Sequence, residues 1–318
     1  MKDWTPSKKK QNDMSASTYN KYIHTPSPYK KTKDGFEPNI YQYLPEEYSE
    51  SFKNRNFPPL WVEDIHWWYN VTNSFMSYLI YNKYNDIGGV LSEYSFDLTE
   101  EGVVKVEILQ DEYDDDELFQ EDEIELTDAV NYWKNLMYDK SCKIIFIKTV
   151  VKLEQSDGTL HSTWTIIDKV RKVVEFFDPN GAFPYLEEKR HRYEFMVDWV
   201  SEFKKIFCCQ RKVNDLCFIP KKYNIMSYES SCSKYGFQYI EYTYGGEIDL
   251  NIEPGGYCVI WCLFMLDLRL GNIGMDTQKI QEKIIRNYLD EKGKFMFGLE
   301  LRNFIRNYMM YVHSFKRF

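Results

Sequence analysis

Three residues of the right types for a nucleophilic thiol system follow one another along the chain: His161, Asp178 and Cys258. Cys258 lies in IEPGGYCVIWCLFMLDLRL, where two glycines give way to an apolar run that reads as a buried helix. The first turn of a helix carries backbone N–H groups without partners and the positive end of the helix dipole. A thiol placed there is drawn towards thiolate from its ordinary pKa of about 8.5. Gly255 and Gly256 let the chain bend sharply and let a substrate backbone approach the sulfur. His161 opens HSTWTIID just after a QSDGT turn, and Asp178 closes VVEFFDPNG. If these are two strands joined at KVRK, antiparallel pairing sets the start of one beside the end of the other. The carboxylate can then fix one imidazole nitrogen while the other takes a proton from the thiol. The chemistry of such a set is acyl transfer through a thioester.

Each assignment has a competitor. Cys258 read alone is a small core residue, and His161 read alone is a surface residue at a strand edge. Asn180 in DPNG is a second candidate for the residue that orients His161. Cys262, one helical turn beyond Cys258, is expected to be core, because a mid-helix thiol has no unpaired amides around it. The remaining histidines are less well placed: His24 lies in a polar N-terminal segment, His66 and His191 in helical segments, and His313 in the last helix.

The elements that must hold these residues are legible from pattern. KIIFIKTVVKL (143–153) is rich in β-branched residues and predicts a strand, as do HSTWTIID (161–168) and VVEFFDPNG (173–181). KKYNIMSY and FQYIEYTY are two further strand candidates, giving a sheet of about five. Helices are predicted at TDAVNYWKNLMYD, at EEKRHRYEFMVDWVSEFKKIF with Tyr193, Met196, Trp199, Val200 and Phe203 on one face, at the apolar run from Cys258, and at two C-terminal segments. Upstream, Trp67, Trp68, Phe75, Tyr78 and Leu79 fall at helical spacing and predict a packed aromatic helix. The whole reads as α+β, a mixed sheet packed on a central helix that carries Cys258, with an extra N-terminal helical region.

Composition bounds the rest. The 318 residues are 43% hydrophobic and 17% aromatic, enough for a sizeable core, and the net charge of −9 argues against a nucleic-acid-binding protein as a whole. Residues 1–35 hold eight lysines against three acids and predict a flexible basic arm, able to meet an acidic partner or nucleic acid. Residues 36–127 form an N-terminal aromatic and helical region with an acidic loop. Within it, residues 97–126 hold fourteen acids and one lysine without the DxDxDG pattern of a calcium loop, so no metal site is expected. Residues 128–318 form the expected catalytic domain. No apolar run reaches the roughly 18 residues of a membrane span, and the opening MKDWTPSKKKQND has no apolar stretch of a secretory signal. Seven dispersed cysteines without a CxxC pair point to free thiols in a reducing compartment.

The order of His161, Asp178 and a helix-opening Cys258 resembles the papain-like cysteine peptidases of the SUMO-protease and adenovirus-protease type. HSTWTIID, VVEFFDPNG, KYGFQYIE and PGGYCVIWCLFMLDLRL are also similar to predicted cysteine peptidases of large DNA viruses, over roughly residues 128–290. The resemblance implies a papain-like, adenovirus-protease-like fold, with His161 as general base, Asp178 as orienting acid, Cys258 as nucleophile and Gln238 as the oxyanion-hole amide. It implies no cofactor, a protein substrate such as a virion precursor or a ubiquitin-like conjugate, and a place in the virion or the host cytoplasm. Two departures stand out. Gln238 lies 20 residues before Cys258 rather than a few, which makes Asn251 a substitute, and Ser162 follows the histidine where these enzymes usually carry Trp. An acyltransferase and a non-catalytic virion or scaffold protein on the same fold are the competing readings.

Overall fold

A computed structural model describes residues 29–32, 35–38, 65–99, 104–108, 126–152, 160–182, 194–209, 216–245, 257–285 and 298–313. Tyr29–Thr32 (β1) and Gly35–Pro38 (β2) form an antiparallel hairpin. The segment expected to be a flexible arm thus ends in paired strands, while residues 1–28 lie outside the described residues.

The centre of the fold is a seven-stranded mixed sheet. Its strands are Gly89–Leu91 (β3), Tyr94–Thr99 (β4), Val104–Ile108 (β5), Ile144–Lys152 (β6), Leu160–Asp168 (β7), Val173–Phe177 (β8) and Asn224–Ile225 (β9). The spatial order is β5-β4-β6-β7-β8-β9, with β3 also lying along β6. The β6–β7–β8 meander is antiparallel, whereas β4 and β9 join it in parallel.

β6 is apolar at successive positions because both its faces are covered. Ile144 and Phe146 point to one core, together with Trp164, Ile166 and Phe177. Ile145, Ile147 and Val151 point to the other, with Ile167, Val174 and Phe176. The second core is closed by Leu126–Tyr138 (α2) and Glu194–Phe207 (α3) through Trp133, Trp199, Val200, Phe203 and Phe207. Tyr193 of the expected helical face lies outside the described residues.

The first core is built on Cys258–Gly271 (α6), which is apolar but for Asp267 and Arg269 and is buried on every side from Ile260 to Leu270. Its outer surface is wrapped by Ile65–Tyr78 (α1), the π-helical turn Leu79–Lys83, Phe237–Tyr244 (α5), Thr277–Ile285 (α7) and Gly298–His313 (α8). Tyr228–Ser231 (α4) is a single turn capped by the Ser227 side chain, which accepts from the Ser230 amide. Among the described residues no helix is long and apolar enough to cross a membrane, and no group of three or more metal-ligating side chains occurs.

Three strand expectations need correction. FQYIEYTY is the helix α5: its buried residues Phe237, Ile240 and Glu241 are three and four apart, a helical spacing, and glycines bracket it. KKYNIMSY contributes only the two residues of β9. The acidic stretch is not a loop throughout, since it contains most of the β4–β5 hairpin, where Phe96 and Leu98 alternate inward and Phe96 faces Val106. Strands from residues 89–108 share one sheet with those from 144–225, so the boundary expected at 127 falls inside a single layer.

Candidate active site

Strand register explains why His161 and Asp178 meet. β7 and β8 pair with Trp164 opposite Phe177 and Asp168 opposite Val173. β8 ends at Phe177, so β7 runs on past it, and His161 stands on the overhanging end of β7. Asp178 is the next residue after β8 and begins a tight turn. Its Oδ1 accepts from the Asn180 amide at 2.8 Å, and the Gly181 amide donates to the Asp178 carbonyl at 3.0 Å. Gly181 takes φ +76°, a left-handed conformation suited to glycine.

The geometry that results is compact. His161 Nε2 lies 2.9 Å from Asp178 Oδ1, with His161 nearly buried and Asp178 wholly so. Asn180 Nδ2 is also near Nε2, at 3.3 Å. An amide N–H cannot donate to an Nε2 that already carries the proton given to Asp178. The carboxamide is equally placed with its oxygen towards the ring, and Asn180 then accepts a second share of that proton. Asp178, the closer and charged partner, is the main acceptor of the Nε2 proton.

With Nε2 committed to Asp178, Nδ1 is left for the thiol, and His161 hydrogen-bonds Cys258. Cys258 is the first residue of α6. No acid stands in the first turn and Tyr257 provides no side-chain cap, which favours the sulfur as a partner for the helix's leading amides. Backbone groups of Ser162 and Val259 hydrogen-bond the sulfur.

These contacts set the protonation states. Burial on its own raises the Cys258 thiol, but the hydrogen bond and charge of His161, with the Ser162 and Val259 amides, outweigh it and hold the pKa below the ordinary thiol value. Burial on its own would lower His161. The Asp178 charge and hydrogen bond, with the Cys258 pairing, overcome that and lift it to about 10. Both shifts favour the thiolate–imidazolium form of the pair. Burial pushes Cys142 and Cys208 up to about 11, and burial with the neighbouring Cys217 does the same to Cys209. Burial also raises Cys232 and Cys262. Cys262 donates to the Ser162 carbonyl at 3.2 Å and packs as a core thiol.

α6 is held in register along β7. Trp164 Nε1 donates to the Cys262 carbonyl at 2.8 Å near the start of the helix. Near its end, Arg269 reaches Asp168 Oδ2 at 3.0 Å and Glu175 Oε2 at 3.2 Å, all three side chains fully buried. Helix and strand thus run in the same direction, with Cys258 beside His161 and Arg269 beside Asp168.

The structure carries Gln238 to the same region by a route that spacing along the chain hides. Gly236 seats against the Asp178 turn: its amide donates to the Asn180 carbonyl at 3.0 Å, and the Gln238 amide donates to the Pro179 carbonyl at 2.9 Å. Neither Gly181 nor Gly236 has space for a Cβ, since each would overlap the other's backbone. The Gln238 Oε1 is buried and makes no hydrogen bond among the described residues. Asn251, Gly255 and Gly256 lie outside the described residues. Replacing Gly181 by alanine is expected to cost about 1–3 kcal/mol through its positive φ, with added overlap on Gly236, and to slow alkylation of Cys258; urea unfolding and iodoacetamide labelling measure the two effects.

Tyr228 is a site residue that the sequence did not reveal. Its hydroxyl lies 3.1 Å from Asp178 Oδ2 and 3.2 Å from the Gly181 carbonyl. One tyrosine among 26, fifty residues from its partner, carries no spacing signal.

Comparison with known proteins corrects the family assignment. No protein-family model matches the chain, and no solved structure does. A curated relative, named as an ankyrin repeat protein of Acanthamoeba polyphaga mimivirus, is 28% identical over 174 residues, 53% of this chain and 20% of the relative. The chain therefore spans about a fifth of the length of the relative it matches. The expected membership among SUMO-protease-like, adenovirus-protease-like or other viral cysteine peptidases is withdrawn on this finding, together with the protease labels drawn from it. His161, Asp178 and Cys258 stand on their geometry alone.

Proposed function

We propose that the chain is a thiol-dependent hydrolase acting on peptide or isopeptide bonds of protein substrates. One observation carries the reading: a thiol on the first residue of a buried helix, hydrogen-bonded to an imidazole whose far nitrogen is held by a buried carboxylate. The Cys258 thiolate attacks a carbonyl carbon, and His161 gives its proton to the departing amine. A thioester then joins the acyl group to Cys258. His161, now neutral, takes a proton from water, whose oxygen attacks the thioester; the acyl group leaves as the carboxylic acid, and the Cys258 thiolate and His161 imidazolium are restored. The backbone N–H of Cys258 and the carboxamide of Gln238 are the donors proposed for the oxyanion. Protein precursors or ubiquitin-like conjugates, in a virion or a host cytoplasm, are the proposed substrates, and the basic N-terminal segment is a proposed contact for an acidic partner or nucleic acid.

A non-catalytic interaction protein is the second reading, favoured by the name of the mimivirus relative. The test is turnover of a fluorogenic peptide panel and of ubiquitin-like conjugates by the purified chain. Hydrolysis lost in Cys258→Ala but kept within about threefold in Cys262→Ala is the expected result, because Cys262 is a buried core thiol whose small side chain is closely replaced. No turnover, with Cys258 as inert to alkylation as the other thiols, would overturn it. Transfer of an acetyl group from a thioester donor without hydrolysis would redirect the reading to an acyltransferase.

A further inference from the structure

The carboxylate of Asp178 is fully buried and has two oxygens to satisfy. Oδ1 takes His161 Nε2 and the Asn180 amide. Oδ2 takes the Tyr228 hydroxyl. We propose that Tyr228 is a positioning residue that fixes the rotation of the Asp178 carboxylate, and through it the His161 ring; the inference rests on the thiol-hydrolase reading of this site.

Three observations carry it. First, Tyr228 is built into place rather than drifting against the site. β9 pairs in parallel with β8 at Val173 and Val174, and the Met226 amide continues this with a bond to the Val174 carbonyl at 3.0 Å. Ser227 caps α4, and Tyr228 follows, 2% exposed. Past α4, Cys232 Sγ donates to the Phe176 carbonyl at 3.4 Å. The segment carrying Tyr228 is thus stitched to the same strand whose end carries Asp178. Second, the hydroxyl has one proton and two oxygen acceptors in reach, Asp178 Oδ2 and the Gly181 carbonyl, and it also meets the Cys232 sulfur. A charged acceptor makes the stronger bond, so the proton goes to Asp178 while the carboxylate is ionised. Third, a carboxylate held through Oδ1 alone can turn about its Cβ–Cγ bond, since that torsion is broad and roughly two-fold. A donor on Oδ2 removes this freedom, leaving Oδ1 aimed at His161. Among the described residues, His161, Cys232 and Cys262 are further titratable groups that feel the Asp178 charge. Burial pushes Cys232 and Cys262 up, so they stay neutral and do not replace Tyr228 as a strong donor.

The experiment is Tyr228→Phe, which keeps the ring in the core and deletes the hydroxyl, made in the wild-type and Asp178→Asn backgrounds. Two readouts need no substrate: the rate at which iodoacetamide labels Cys258, and the downfield NMR signal of the His161 Nε2 proton. Thermal unfolding is followed alongside. Tyr228→Phe is expected to slow Cys258 labelling about 3- to 10-fold and to shift or broaden the His161 signal, and to slow labelling less than twofold further once Asp178 is already Asn. An unmoved His161 signal, or an equal loss in both backgrounds tracking the fall in Tm, would overturn the proposal and leave Tyr228 a packing residue. A wild-type Cys258 that labels no faster than the other thiols defeats the hydrolase reading instead, and the His161 signal still decides the role of Tyr228.

Discussion

Replacing His161 by alanine is expected to slow iodoacetamide labelling of Cys258 at pH 6.5 by about 30-fold or more, since an unassisted thiol is only a few per cent thiolate near neutrality. In the wild type His161 supplies both a hydrogen bond and a positive charge, which draw the Cys258 thiol towards thiolate. Without them burial dominates, and burial alone drives the thiol up. The pH dependence follows in sign. Labelling of the wild type rises as pH climbs through the lowered Cys258 value and stays high beyond it, because the thiolate persists. Hydrolysis needs the imidazolium as well, so it rises on the same acid limb and falls as pH passes through the His161 value of about 10. Separation of the two profiles on the alkaline side distinguishes an acid that protonates the leaving amine from a counter-charge alone. In His161→Ala, turnover is expected to fall by about 10²–10⁴. Mass-spectrometric mapping of the labelled cysteine, pH by pH, checks the first part; a Cys258 rate unchanged by the mutation would remove His161 from the site.

Arg269→Met is expected to destabilise the protein by about 3–5 kcal/mol, read as a fall in the urea midpoint at unchanged m. Methionine matches much of the arginine's volume, so the loss is electrostatic rather than a cavity. Asp168 and Glu175 are both fully buried, and Arg269 bonds each of them. It also donates to the carbonyls of Asn272 and Met275, closing the C-terminal end of α6. Arg171, which reaches Glu175 at 3.0 Å and also pairs with Asp276, remains but is partly solvated. The remaining Thr277 hydroxyl bond to Glu175, at 2.8 Å, does not neutralise a charge. Loss of the Arg269 anchor also frees α6 to shift along β7, so Cys258 labelling is expected to slow in the folded fraction. A variant within 1 kcal/mol of wild type would mean that Arg171 and solvent replace the buried cation.

How much of this was legible depended on what each residue's position rests on. The β6–β7–β8 meander could be read because β-branched runs and the KVRK turn are local signals, and the meeting of His161 with Asp178 follows from them. The helix opening at Cys258 was equally local. α5 was not, because FQYIEYTY alternates aromatic and polar residues as strands do, and only packing against α6 and α8 selects the helical spacing of Phe237 and Ile240. β4 and β5 were hidden by acids clustered beside them, although Phe96 and Leu98 carried the alternation. The Gln238 backbone and the Tyr228 hydroxyl reach the Asp178 turn, one directly and the other through β9, by contacts set by tertiary structure that no spacing encodes.

The wrapping of α6 has a consequence in time. His161 and Asp178 come from neighbouring strands of one meander, whereas Cys258 arrives on a helix that α8, from Gly298 onwards, helps to cover. A chain emerging from the ribosome amino end first completes the His161–Asp178 pair well before α6 has its final cover. Cys258 therefore meets a His161–Asp178 pair that precedes it in synthesis.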